Sequence, residues 1–170
     1  LAGGVLFGIH VDGFATEPDL GIPDDTPFTL HSFGNVSSRT GAQIESEGIT
    51  SGVTAFKRPE DGAWDPSNPN DFYFVTTATF SGWSRMWRLR FADAAQPWNG
   101  GTIAMVLDGK EGQKMMDNLA VDGAGDVIIQ EDVGNQVHLG KIWKYHADSG
   151  VTSLLAEHDA RLIGTYMGVA

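Results

Sequence analysis

Two adjacent pairs of oxygen-bearing side chains, Asp117-Asn118 and Glu131-Asp132, bracket a stretch that reads as a hairpin. Between them lie the turn Asp122-Gly123-Ala124-Gly125-Asp126 and the apolar run Val127-Ile128-Ile129. A hairpin brings its two ends together, so acids at both ends either serve ordinary turns or converge on a cation. Carboxylates and Asn carbonyls are the hard ligands that Ca²⁺ takes, usually six to eight at ~2.3–2.6 Å. An earlier stretch repeats the theme, with Glu60 just ahead of Asp61-Gly-Ala-Trp-Asp65. Asp65, Asn68, Asn70, Asp71, Asp122 and Asp126 read most simply as turn residues, whose side chains bond nearby backbone amides. Asp117-Asn118 and Glu131-Asp132 exceed what one turn needs. For them both readings, turn chemistry and cation binding, stay open.

Composition removes several other chemistries. The 170 residues contain no Cys, which excludes disulfides, thiolate zinc sites and a Cys nucleophile within them. The five His are scattered without metal-ligand spacing. "DGAGD" lacks the ligand pattern and final Glu of an EF-hand, and the glycines of "LAGGVLFG" and "WNGG" fit no phosphate-loop spacing. With 22 acidic against 11 basic residues and a formal net charge of -11, nucleic acid is not an expected partner, whereas cations are. No run approaches the ~18 apolar residues of a membrane span. Leu1 to Ile9 lacks the basic start of a signal peptide, and the sequence begins without Met. The expectation is a processed or partial product.

The elements that must position these acids read as strands. Phe72–Thr77, Met86–Phe91, Thr102–Leu107, Val127–Ile129 and Lys141–Tyr145 are short, β-branched or aromatic, and Gly, Pro, Asn and Asp separate them. "MWRLRF" and "KIWKY" alternate apolar with basic residues, as half-buried strands do. No segment holds a period of 3.6 beyond two turns, so the chain reads as all-β. An internal repeat organises it: Asp65 falls on Asp122, Asp71 on Asp126, Trp87 on Trp143 and Asp93 on Asp148, a period of about 56 residues. Four antiparallel strands per unit describe a propeller blade. Approximate units 1–48, 49–108 and 109–170 make three, whereas closed propellers need ~4–8. The chain is therefore expected to be part of a β-propeller, completed by further sequence or by other chains.

"FKRPEDGAWDP" (Phe56 onwards), "DNLAVD" (Asp117 onwards) and "IIQEDVGN" (Ile128 onwards) together resemble the PhoX-type alkaline phosphatases and their phytase-like relatives. Members carry an Arg-Pro-Glu motif, an Asp-Asn motif opening the next repeat and a Glu-Asp pair ending the strand after it. The resemblance covers roughly Phe56 to Asp159. It implies a β-propeller and a calcium-dependent phosphomonoesterase exported from bacterial cells, periplasmic or extracellular, with Fe³⁺ beside Ca²⁺ in characterised members. Carried over residue by residue, Glu60, Asp117, Asn118, Glu131 and Asp132 would ligate or orient metal. Arg58 would clamp substrate phosphate, a task its planar fork suits. Those phosphatases bind iron through a Cys, and this chain has none. The implied partner is a small phosphate ester. Two other readings remain: a propeller hydrolase of lactonase type, in which one Ca²⁺ held by Glu, Asn and Asp suffices, and a non-catalytic calcium-binding propeller module.

Overall fold

The computed structural model describes residues 4–134 and 136–164. Asn135 of the third motif and residues 165–170, the end of the C-terminal segment "RLIGTYMGVA", lie outside them. The chain forms two compact units, Leu1–Phe56 with Leu89–Ala104, and Lys57–Arg88 with Met105–Ala170. Strands β5 (Arg85–Phe91) and β6 (Gly101–Leu107) pass through both.

In the first unit β1 (Leu6–Val11) pairs antiparallel with β2 (Thr26–Gly34), Val11 opposite Phe28. The other edge of β2 pairs with β6, Phe28 opposite Gly101. Val11, Ile22, Phe28, Leu89, Phe91 and Ile103 are buried, and the Phe28 and Phe91 rings meet edge to face at 5.1 Å. The glycines of "WNGG" have a steric reason: a Cβ on Gly100 would lie 2.1 Å from the Phe28 carbonyl oxygen, and one on Gly101 1.9 Å from that of Arg90. Side chains are excluded there by the approach of neighbouring backbone. The unit also carries a helix the sequence reading passed over, α1 (Gly41–Thr50). Its signal is the capping box Thr40-Gly-Ala-Gln43, in which the Thr40 hydroxyl accepts from Gln43 N and the Gln43 side chain accepts from Thr40 N. Only Gly48 of the helix is buried, so it has no apolar stripe for periodicity to detect.

The second unit holds β3 (Pro59–Trp64), β4 (Asp71–Thr76), β7 (Met116–Val121), β8 (Val127–Glu131), β9 (Lys141–His146) and β10 (Val151–Glu157), with the adjoining parts of β5 and β6. Consecutive strands neighbour one another in two meanders, ordered β6-β5-β4-β3 and β10-β9-β8-β7. Gly62 faces Phe74 in the first hairpin, and Leu119 faces Ile129 in the second. The two four-strand meanders align at the period read from the sequence, each strand of one on its counterpart in the other. One core joins them: Tyr73, Val75, Met86, Leu107, Met116, Leu119, Val127, Ile129 and Tyr145, with Trp143 packed against it. The chain is all-β and forms part of a β-propeller-like fold.

Candidate functional site

Strands β3 and β7 begin, and β4 and β8 end, at one end of the second unit, and the flagged residues collect there. Arg58 immediately precedes β3 in the left-handed region, with φ 57, and Met115 holds the equivalent place before β7 with φ 47. In each repeat that residue's carbonyl accepts from the residue just after the neighbouring strand: Thr77 N to Arg58 O at 2.9 Å, Asp132 N to Met115 O at 3.0 Å. A conformation costing on the order of 1–3 kcal/mol for a non-glycine residue is thus a device of the repeat, used twice. Its effect at Arg58 is to start the side chain from a fixed point. The guanidinium donates from Nη1 to the Ala78 carbonyl (3.2 Å) and from Nη2 to Glu60 Oε1 (3.3 Å). Its side chain remains 55% exposed, so further donors of the fork face outward.

Glu60 on β3 and Asp117 on β7 are equivalent positions of the repeat, and the fold brings them together. The Asp117 carboxyl is held above the usual carboxylate value, first by partial burial and then by the negative charges of Glu60 and Asp132, with Asp61 adding and Arg58 opposing. Burial and neighbouring negative charge thus both disfavour ionisation of Asp117. Asp61 was not singled out in the sequence, although it adjoins Glu60. Its Oδ2 accepts from Leu119 N (3.0 Å) and its Oδ1 from Gly62 N (2.8 Å), linking β3 to β7 two residues beyond Asp117. Asn118 is exposed and donates to Asp117 Oδ2 at 3.0 Å. Asp132 is exposed, and its Oδ1 accepts from Gly134 N at 3.2 Å.

Glu131 is placed differently. Its side chain is fully buried. Oε1 accepts from Lys114 N (2.8 Å) and Trp143 Nε1 (2.9 Å), while Oε2 accepts from Lys141 N (3.1 Å) and lies 2.8 Å from His138 Nε2. The first meander explains why. There the indole of Trp87, the counterpart of Trp143, donates to Thr76 Oγ1 (3.1 Å) at the last residue of β4. Glu131 is thus the indole acceptor of its own blade, and four partners occupy its oxygens.

The remaining acids do the work of turns. Asp65 Oδ1 accepts from Ser67 N (2.7 Å) and Asn68 N (3.2 Å), and Asp122 Oδ1 from Ala124 N (2.8 Å) and Asp126 N (3.1 Å). Asp126 pairs with Lys144 Nζ at 2.7 Å, as Asp71 approaches Arg88 Nε at 3.9 Å in the other repeat. The Ala124 amide and then Lys144 hold the Asp122 carboxyl below the usual range, and Lys144 with the Ala147 amide does the same for Asp126.

A hard cation fits the donor chemistry of Glu60, Asp117 and Asp132, and the raised carboxyl of Asp117 is what such a cation would relieve. Among the described residues no three His, Asp or Glu converge closely enough to enclose a metal ion. Six to eight oxygens are needed for Ca²⁺, so these residues would supply only part of a coordination sphere.

No family model matches the chain, and no curated protein matches it. One solved structure does: Pseudomonas fluorescens PhoX in complex with vanadate, a transition-state analogue, superposes with a TM-score of 0.65 at 13% identity. The match covers 89% of this chain and 35% of that one. The likeness is one of fold.

Proposed function

We propose that the chain is a sector of a calcium-dependent phosphomonoesterase of PhoX-type architecture, the rest of the propeller coming from further sequence or from other chains. The observation that carries this reading is the juxtaposition of Arg58, an exposed guanidinium that donates to the Ala78 carbonyl and to Glu60, with Asp117, whose carboxyl burial and the charges of Glu60 and Asp132 raise. Phosphate monoesters are recognised by such a pairing of bidentate donors with cation-binding carboxylates. Glu60 and Asp117 would ligate Ca²⁺, with Asp132 beside them and Asn118 fixing the Asp117 carboxylate through its amide. Bound calcium would neutralise phosphate charge and activate an oxygen nucleophile.

The chain's own residues supply the rest. Arg58 orients the ester through its outward donors and stabilises charge on the transferring phosphoryl oxygens. Glu60 accepts from Arg58 Nη2 at 3.3 Å and so restrains one arm of the fork. Glu131 acts as a positioning residue: its buried carboxylate holds Lys114 and Lys141 backbone and the Trp143 indole, which fixes the β8 end that carries Asp132. Iron beside calcium belongs to the same reading, its Cys ligand coming from outside these 170 residues, which contain none. Export to the periplasm or cell exterior is proposed with the family reading.

The test is phosphate release from a small ester by the natural full-length protein, with and without Ca²⁺, beside its Arg58→Ala variant. Calcium-dependent release that the variant loses while still binding Ca²⁺ supports the reading. Calcium binding without release points instead to a non-catalytic module. Equal loss of binding and release in the variant removes Arg58 from the role of substrate clamp.

A further inference from the structure

A second group of reactive side chains stands at the other end of the second unit. β8 runs from Val127 to Glu131 and β9 from Lys141 to His146. Asp126 and His146 therefore lie about 15 Å of strand from the end that holds Glu131 and Asp132. His146 Nδ1 is 3.2 Å from Asp126 Oδ2, and its Nε2 is 3.2 Å from the hydroxyl of Ser153 on β10. Hydroxyl, imidazole and carboxylate are linked in that order through opposite ring nitrogens. This is the connectivity of a nucleophile, its general base and the group that orients the base.

The arrangement exceeds what the blade needs. In both repeats an Asp at the start of the second strand meets a cation on the third, Asp71 with Arg88 and Asp126 with Lys144. Two residues further along the third strand the first repeat has Arg90, and the second has His146. The histidine is thus added to an ion pair that the repeat already supplies. Asp126 is held below the usual carboxylate range, first by Lys144, and so stays the anion that an orienting partner must be. The side chains of His146 and Asp126 are 35% and 16% exposed, and Ser153 is half-buried, so a small molecule can reach the hydroxyl. Lys144 stands directly opposite Ser153 in the register of β9 and β10 and sets a positive charge on the same face.

We propose that Ser153, His146 and Asp126 form an acyl-transfer site, independent of the phosphatase reading, that hydrolyses small carboxylic esters. Ser153 Oγ attacks the carbonyl carbon as its proton passes to His146 Nε2. The bond from that carbon to the alcohol oxygen breaks, and the oxygen leaves with the proton. Water then attacks the acyl-serine, returns a proton through His146 to Ser153 Oγ and releases the carboxylic acid. Asp126 is the positioning residue, holding the ring through Nδ1. With Lys144 as the cation for the oxyanion, the favoured esters are those whose alcohol leaves readily, such as aryl esters.

The experiment treats the natural full-length protein with diisopropyl fluorophosphate, which phosphorylates an activated serine oxygen as fluoride leaves and the base takes the proton. Peptide mass mapping locates the adduct. Ser153 is expected to carry it, at a rate that falls on acidification. His146→Gln should slow the reaction about 10²-fold, the scale of one general base. Asp126→Asn should slow it as well, and Asp126→Glu should recover part of that loss. Hydrolysis of 4-nitrophenyl acetate should disappear in Ser153→Ala while phosphate release stays at the wild-type level, so the two readings fail separately. No adduct on Ser153 overturns the proposal, and so does labelling as fast in His146→Gln or Asp126→Asn as in wild type. Acetate ester hydrolysis that survives Ser153→Ala overturns it too.

Discussion

At the residue scale, Asp117 and Asp126 show two carboxylates pushed in opposite directions. Asp126 is held low by Lys144 and by the Ala147 amide, so its contribution to stability is present above the ordinary carboxylate value and is lost as pH falls through the depressed one. Asp126→Asn is expected to lower the denaturant midpoint at pH 6, with the difference from wild type vanishing toward pH 2. Asp117 has the reverse sign. Its raised value means that the folded state binds the proton more tightly, so it costs nothing below the ordinary value and destabilises once pH has risen through the raised one. Asp117→Asn should therefore stabilise the cation-free protein at neutral pH, and equilibrium unfolding in EDTA checks it. If Asp117 holds Ca²⁺ as proposed, the order should invert in saturating Ca²⁺. Arg58→Ala should lower kcat for a phosphate ester by about 10²–10³-fold, the scale of one lost donor to transition-state charge.

At the element scale, the repeated Trp is what fixes each blade, and its partner differs between repeats: a hydroxyl at Thr76, a carboxylate at Glu131. Glu131→Gln preserves shape but turns one acceptor into a donor facing N–H groups. The expected loss is about 3 kcal/mol in chemical denaturation, with or without Ca²⁺; a loss seen only with Ca²⁺ would mean that the carboxylate is a ligand. Gly101→Ala sets a Cβ against the Arg90 carbonyl oxygen and should destabilise by more than about 3 kcal/mol, measured in the same way. Gln113 offers a change of opposite sign. It is wholly buried, and neither amide atom has a partner among the described residues. Gln113→Met removes that desolvation cost and is expected to be neutral or to stabilise by about 1 kcal/mol.

At the scale of the whole molecule, a formal charge of -11 favours association with cations, and on the proposed reading Ca²⁺ binding stabilises the fold. Calcium at 100 times its Kd should add about 2.7 kcal/mol, raising Tm beyond the effect of NaCl at equal ionic strength. Among the described residues no helix is long and apolar enough to cross a membrane. The chain spans 35% of the PhoX structure it resembles, so ligands beyond Glu60, Asp117 and Asp132 would come from elsewhere in a complete propeller.

The sequence by itself determined the all-β class, the four-strand repeat and the turn role of Asp65 and Asp122, because strand alternation, turn chemistry and repetition are local or periodic properties of the chain. It also identified the segment around Arg58, Glu60 and Asp117, through motifs that are contiguous. Only the tertiary structure decided which acids face one another. Glu131 and Asp132 are neighbours in sequence, yet the first, ending β8, is buried and accepts from the Trp143 indole, while the second, just past the strand, is exposed and accepts from Gly134 N. The meeting of Asp126, His146 and Ser153 draws on three separate stretches of chain, and no spacing in the sequence encodes it. Helix α1 escaped notice for the complementary reason: it buries almost nothing, and a helix without an apolar face leaves only its cap to be read.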